Sequence, residues 1–328
     1  MELRLLFEKE IRDLLGPKEA YEAVRDAFVR LAKGQAILPG VINLDIPATR
    51  TEAHIKGAYL QGTRHFVVKV ASGSFDNPAH GLPSGGGMFL VFDATTGLPV
   101  AVLFDNGYLT DIRTGAAGAL AADLLAKKSV DRVGIVGVGS QARYQLEALL
   151  RVRRPKAVAA WGRDRQKAEA YAAEMSTKHG VPVEAVGSVE VACRGSDIVV
   201  TVTAAHEPLV RANWIDPGTH ITAVGADGPD KQELDVDVLQ KANKVVADRL
   251  DQCLRLGEIH HAVDAGAIRK EDVYAELGEL AAGMKRTRTS NEEITVVDLT
   301  GVGVQDAAVA NRVVEDAVRR GLGKTIEV

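Results

Sequence analysis

The chain has 328 residues, with 40 Lys+Arg against 44 Asp+Glu for a net charge of −4, 46% apolar residues and 5% aromatics. That balance excludes intrinsic disorder and argues against a nucleic-acid partner, which needs a basic face for the phosphates. No apolar run reaches the roughly 18 residues of a membrane-spanning helix, so a cytoplasmic chain with no membrane partner is expected, long enough for two cooperating domains.

The opening stretch, Met1-Glu-Leu-Arg-Leu-Leu-Phe7, carries charge inside its short apolar run and does not read as a signal peptide. Residues 17–33 predict an amphipathic helix: Pro17 suits a first helical position, Ala20, Val24, Ala27, Phe28 and Leu31 recur at helical spacing, and Gly34 stops it. From 37 to 104 the texture is β-rich, with runs at 41–44, 59–60, 66–71, 88–93 and 99–104. Turn signals separate them at Asp76-Asn77-Pro78, Gly81-Leu82-Pro83 and Ser84-Gly85-Gly86-Gly87. An antiparallel or mixed sheet is predicted there, followed by an Ala-rich helix over 113–127.

The rhythm then changes to β-α-β. Strands are predicted at 133–136, 157–161, 183–186, 198–202, 220–224 and 244–247, with helices at 141–151, 165–179 and 188–193 between them. This alternation implies a parallel sheet covered on both faces. A last helix is predicted over 304–320, so the parallel-sheet domain lies inside the chain rather than at one end. Cys193 and Cys253 are too few for a disulfide scaffold and read as buried thiols. His260 and His261 beside Glu258 lack a third ligand at useful spacing, and no metal is expected.

The strand at 133–136 runs into Gly137-Val-Gly139-Ser140-Gln141-Ala142, where a helix opens. This is the G-x-G-x-x-A form of the dinucleotide fingerprint. Gly137 permits the tight turn, Gly139 lets backbone approach a pyrophosphate, Ala142 allows close helix–strand packing, and the helix start offers N–H groups to the phosphates. The next strand ends Trp161-Gly162-Arg163-Asp164. Where a free ribose 2′-hydroxyl usually meets an acid stands Gly162, with Arg163 able to pair with a phosphate, which favours NADP over NAD. Asp164 serving the NAD role, and Arg163 as a solvated helix-start charge, are the alternatives.

Several stretches together resemble the ornithine cyclodeaminase/mu-crystallin family, nearest its alanine dehydrogenase and ketimine reductase branch. They are Val67-Val-Lys69-Val70, Asp111-Ile-Arg113-Thr114-Gly-Ala-Ala117, Gly137–Ala142, Gly218 to Asp235 with its Gly-Ala-Asp227-Gly-Pro-Asp-Lys231 turn, Asn291-Glu-Glu-Ile-Thr295, and Gly301-Val-Gly-Val-Gln-Asp-Ala-Ala308. The likeness is weakest over 37–60 and 74–90. It implies an α/β fold with a Rossmann dinucleotide-binding domain (116–303) inserted into a smaller α+β substrate-binding and dimerisation domain (1–115 plus 304–328). It also implies a homodimer and a small imino- or amino-acid substrate.

The same resemblance implies roles for particular residues. Lys69 and Asp227 match the family's catalytic lysine and aspartate, and Arg113 its clamp for the substrate α-carboxylate. Guanidinium suits that clamp because it binds carboxylate in a fork. Thr114, Ser140, Gln141, Thr203, Val224, Asp227 and Lys231 join Gly137, Gly139, Ala142 and Arg163 as expected cofactor contacts. An ordinary salt bridge for Arg113, an outward-facing strand lysine for Lys69 and a turn cap for Asp227 are the structural alternatives.

One departure is informative. Cyclodeaminases carry a glutamate thirteen residues before the family lysine, and here that position is Lys56. The expectation is therefore an NAD(P)H-dependent imine reductase or amino-acid dehydrogenase. A cyclodeaminase-type lyase and a non-catalytic NADPH-binding protein like mu-crystallin are the alternatives. Arg50, His54 and Lys56 form a local basic cluster, expected either as a solvated strand edge or as a site for a second substrate carboxylate, as in iminosuccinate.

Overall fold

The computed structural model describes residues 2–74, 76–83 and 85–327; Met1 of the opening stretch and Ser84 of a predicted turn lie outside the described residues. In chain order the elements are β1 (Glu2–Phe7), α1 (Glu8–Leu14), α2 (Pro17–Ala32), β2 (Ala36–Ile37), β3 (Ile42–Ile46), β4 (Thr51–Leu60), β5 (His65–Ser74), β6 (Gly85–Asp93), β7 (Pro99–Phe104) and α3 (Tyr108–Leu125). There follow β8 (Arg132–Val136), α4 (Ser140–Val152), β9 (Ala157–Trp161), α5 (Arg165–His179), β10 (Val183–Ala185), α6 (Val189–Cys193), β11 (Ile198–Thr201) and β12 (His220–Ala223). The remainder are α7 (Val236–Lys241), β13 (Lys244–Ala247), α8 (Leu250–Cys253), α9 (Gly257–Asp264), β14 (Ala275–Glu276), α10 (Leu277–Ala281), β15 (Thr295–Asp298), α11 (Gly303–Arg320) and β16 (Lys324–Glu327). They form two compact units, Met1–Arg113 with Val302–Val328, and Thr114–Gly301.

The first unit is a mixed sheet in the order β16-β1-β7-β6-β5-β4-β2, with β3 added along β4. Only the β1–β7 pair is parallel among these ladders. Period-two alternation assigns the faces: Lys56, Ala58 and Leu60 of β4, His65, Val67 and Lys69 of β5, and Phe89 and Val91 of β6 are buried. Helix α11 packs on β4 and β5 and against α2. Gly303 marks the closest approach, since a Cβ there would lie 2.6 Å from the Gly57 carbonyl. That contact brings the first turn of α11 down onto the sheet.

Two sequence readings shift here. Gly85–Gly87, predicted as a turn, lie within β6. At Gly87 a Cβ would stand 2.6 Å from the Val70 carbonyl, so the glycine serves close strand packing. The helix predicted from 113 starts at Tyr108, because Asp105 Oδ2 accepts from Leu109 N at 2.8 Å and nucleates a turn earlier than the Ala-rich run suggests. The opening stretch forms β1, held by β7 on one side and β16 on the other.

The second unit is an all-parallel sheet in the order β10-β9-β8-β11-β12-β15-β13-β14. The order runs outward from β8 in both directions, so the switch point lies between β8 and β11, where open α/β sheets bind ligands beyond the carboxyl ends. The central strands are buried on both faces, as a covered parallel sheet requires. Strand β15, not foreseen as a strand, occupies the sheet interior between β12 and β13. Among the described residues no helix is long and apolar enough to cross a membrane.

Candidate active-site residues

In the first unit, β4 and β5 pair Lys56 directly with Lys69. Two lysines opposite one another repel, and these are only 8% and 2% exposed. The compensating charge comes from α11. Asp306, in its first turn, accepts at one oxygen, Oδ1, from Lys69 Nζ at 3.2 Å and from Arg113 Nε at 3.0 Å. Arg113 Nη1 also donates to Gln305 Oε1 at 2.8 Å. The helix N-terminus adds its own stabilisation of the Asp306 charge.

The electrostatics follow from burial. Burial draws the Lys69 ammonium down from 10.5 to about 7 against the pull of Asp306, with Arg113 and Lys56 adding to the fall. Burial by itself would raise the Asp306 carboxyl, yet Lys69, Arg113 and Lys56 hold it below the usual range. Asp105, at the end of β7, is pushed up to about 6 by burial, partly offset by the N–H groups it accepts from.

Two buried polar atoms in the first turn of α11, Asp306 Oδ2 and Gln305 Nε2, have no hydrogen-bond partner among the described residues. Leaving such groups unpaired costs about 1–3 kcal/mol each, so this is a place where a polar ligand is favourable. One atom is an acceptor and one a donor, set among Lys69 and Arg113. A molecule bearing both a carboxylate and an N–H satisfies that set.

The second unit holds the dinucleotide turn. Gly137 has φ 111°, and its Cβ would lie 2.6 Å from the Val202 carbonyl, so the fold itself demands glycine. Gly139 differs: its φ of −76° suits any residue, and a Cβ there would meet nothing within 4 Å among the described residues. The absence of a side chain at Gly139 thus leaves open backbone at the start of α4, the cradle a pyrophosphate fits. Ala142 is fully buried. At the end of β9, Gly162 leaves room only for the Val138 side chain, and Asp164 caps α5 by accepting from Gln166 N and Lys167 N at 3.0 and 3.2 Å.

Beyond β11 and β12 lie Thr203 and the turn from Val224 to Lys231. Asp227 is about half exposed and accepts from Lys231 Nζ at 2.9 Å. The Lys231 carbonyl accepts from His261 Nε2 at 2.9 Å, while His260 Nδ1 bonds the Gly257 carbonyl at 2.7 Å.

A model of the ornithine cyclodeaminase/mu-crystallin family matches residues 2–321. The chain belongs to that family. It is 42% identical over 327 residues, 99% of each chain, to a protein of Sinorhizobium fredii named as an uncharacterized cyclodeaminase. An archaeal alanine dehydrogenase dimer with bound NAD superposes with a TM-score of 0.93 at 39% identity, covering 100% of this chain and 99% of that one. The Thermococcus litoralis Delta(1)-pyrroline-2-carboxylate reductase in complex with NADH and L-proline superposes at 0.94 with 34% identity, covering 98% and 100%.

Within this family member the residues singled out from sequence fall into groups. Lys69, Arg113 and Lys56 share one buried cluster in the first unit. Arg50 and His54 hold other partners: Arg50 Nη1 pairs with Asp76 at 2.8 Å, and His54 bonds Asn43 at 2.9 Å and Glu52 at 3.1 Å. In the second unit Gly137, Gly139, Ser140, Gln141 and Ala142 form the turn and helix start, with Gly162 and Arg163 at the end of β9. Thr114 lies on α3, where its carbonyl accepts from Gln145 Nε2 at 3.0 Å.

Sequence reasoning assigned no role to Asp306, Gln305 or Asp105. The first two stood inside the Gly301–Ala308 string. A signal was available there: Gln and Asp opening a helix that continues Ala-Ala-Val-Ala, where nothing but core is otherwise expected.

Proposed function

We propose that the protein reduces an α-imino acid to the corresponding α-amino acid with a nicotinamide dinucleotide, acting on a C=N bond. The observation that carries this reading is the buried Lys69–Arg113–Asp306–Gln305 cluster with one unpartnered donor and one unpartnered acceptor. Arg113 and Lys69 bind the α-carboxylate, and Gln305 Nε2 donates to it. Asp306 holds both cations in place. Asp227 holds the proton at the substrate nitrogen, the role its family match assigns it. Gly137–Ala142 hold the pyrophosphate of the dinucleotide, which when bound supplies the hydride that adds to the imine carbon.

For the cofactor, Asp164 is engaged as the α5 cap, and Gly162 and Arg163 leave no other acid at the end of β9. We read this as acceptance of a ribose 2′-phosphate, with NADPH used at least as well as NADH, although the two structures compared above hold NAD and NADH.

For the substrate, Lys56 adds a further cationic side chain near Lys69, Arg113 and Asp306. That local positive charge favours a dicarboxylic imine such as iminosuccinate, giving L-aspartate. Because Arg50 and His54 have other partners, the second carboxylate rests on Lys56. Lys56 in place of the cyclodeaminase glutamate favours reduction over ring-forming deamination. The sheet also exposes Ile37, Ile42, Leu44 and Ile46, an apolar edge that we assign to a homodimer contact.

The test is cofactor oxidation, with NADPH and NADH, on oxaloacetate plus ammonia against pyruvate plus ammonia. Preference for oxaloacetate, reversed by Lys56→Ala, supports the dicarboxylate. Preference for pyruvate with Lys56→Ala unchanged retires it and leaves a monocarboxylate reductase. Tight cofactor binding without turnover on any imine retires the enzymatic reading.

A further inference from the structure

Glu233 lies between β12 and α7 and is fully buried. Its carboxylate takes four hydrogen bonds: Oε1 accepts from Thr203 N at 2.5 Å and Thr203 Oγ1 at 2.8 Å, and Oε2 accepts from Thr201 Oγ1 at 2.7 Å and Gly225 N at 2.8 Å. Thr201 ends β11, Thr203 lies in the loop after it, and Gly225 lies in the loop after β12. One side chain therefore fastens the two carboxyl-end loops to each other. They meet at closest approach there, since a Cβ on Gly225 would collide with the Thr203 backbone.

The Glu233 backbone is itself anchored. Its N–H and that of Leu234 donate to the Glu258 carboxylate at 2.8 and 3.0 Å, and its carbonyl accepts from Leu209 N and Val210 N at 2.8 and 3.0 Å. The clasp thus joins four segments of one unit.

A dinucleotide laid across the switch point puts its pyrophosphate on Gly137–Ala142 and its adenosine toward β9, which leaves the nicotinamide half over the loops after β11 and β12. We propose that Glu233 is the positioning residue that sets the spacing of these two loops, and with it the placement of Thr203 and Asp227 around the nicotinamide half. This rests on the dinucleotide reading above. The chemistry is specific: each Glu233 oxygen faces a backbone N–H, so an amide, whose NH2 group only donates, turns a donor against a donor at one of them. Glu233 makes none of these bonds to the Gly137–Ala142 turn or to Gly162; only the Val202 carbonyl, packed against Gly137, links its loops to that turn, so the adenosine half depends on it less than the nicotinamide half does.

The experiment is calorimetric binding of NADH and of ADP to wild type and Glu233→Gln, with melting temperatures alongside. The expected result is a dissociation constant for NADH raised about tenfold or more, with that for ADP within about twofold. Wild type that fails to bind NADH overturns the dinucleotide reading and this inference together. Wild type that binds NADH, with Glu233→Gln binding both ligands as wild type does, overturns only this inference. Equal loss of both ligands also overturns it, because that marks general damage to the unit. Should Glu233→Gln not fold, Thr201→Val removes one hydroxyl donor and leaves three. A several-fold loss for NADH with ADP unchanged supports the clasp, and unchanged or equally weakened binding of the two overturns it.

Discussion

Lys69 Nζ lies 3.2 Å from Asp306 Oδ1, joining positions 237 residues apart in the chain. The same oxygen takes Arg113 Nε at 3.0 Å, so one carboxylate oxygen orders both cations that we assign to the substrate. The relationship depends on Gly303 letting α11 approach β4 and on Asp105 starting α3 early enough to present Arg113 two turns later.

Replacing Asp306 by Asn therefore removes the carboxylate that Lys69 and Arg113 share in the buried cluster. The expected loss is about 3–5 kcal/mol of unfolding free energy, read from urea titration. The Lys69 ammonium loses its main upward influence and falls further below about 7. A variant as stable as wild type contradicts the ion-pair description.

The titration of Lys69 also has a signed consequence for stability. Its folded value is about 7 against an ordinary 10.5, so between those pH values the unfolded chain holds a proton that the folded chain has released. Stability from this group accordingly rises with pH across that window, and below it the burial cost is present in full. Relative to Lys69→Met, wild type gains urea resistance from pH 7 upward. A gap that widens in favour of Lys69→Met over the same range contradicts the assignment.

Much of this was legible in the sequence, and the missing parts have physical reasons. The βαβ rhythm and the Gly137–Ala142 turn are local patterns, set by strand period, glycine φ and helix starts. Lys69 among Val67, Val68 and Val70 already signalled a costly buried charge. Its partner was not legible, because Asp306 reaches it through tertiary packing rather than through spacing. Strand β15 is Thr-Val-Val-Asp, with only two apolar residues to mark it, and takes its identity from β12 and β13 on either side. Arg50 and His54 resembled Lys56 in sequence, but the turn at Arg50 and the side chains of Asn43 and Glu52 give them different partners.

Gly137 and Gly139 separate folding from binding. Gly137→Ala forces φ 111° on a side chain that meets the Val202 carbonyl, for an expected cost of about 1–3 kcal/mol in thermal or urea unfolding. Gly139→Ala enters open space at an ordinary φ, so stability stays within about 0.5 kcal/mol while dinucleotide affinity falls about tenfold or more. Unchanged affinity in Gly139→Ala removes the pyrophosphate from this turn.

The exposed edge of β3 offers a separate check. Leu44 is 56% exposed between Ile42 and Ile46, and Leu44→Lys places a charge in that apolar row. Light scattering is expected to show a dimer for wild type and a shift toward monomer for the variant. An unchanged dimer moves the contact elsewhere.

The most direct test of the carboxylate cluster is the dependence of cofactor oxidation on the substrate's own carboxylate. The imine from pyruvate and ammonia is compared with the imine from acetaldehyde and ammonia, using wild type and Arg113→Lys. The expected result is turnover only of the carboxylate-bearing imine, with Arg113→Lys raising KM about 10–100-fold and kcat little changed, the loss of a fork to a point charge. Equal turnover of both imines, or ammonia release from ornithine with no net change in cofactor, contradicts it.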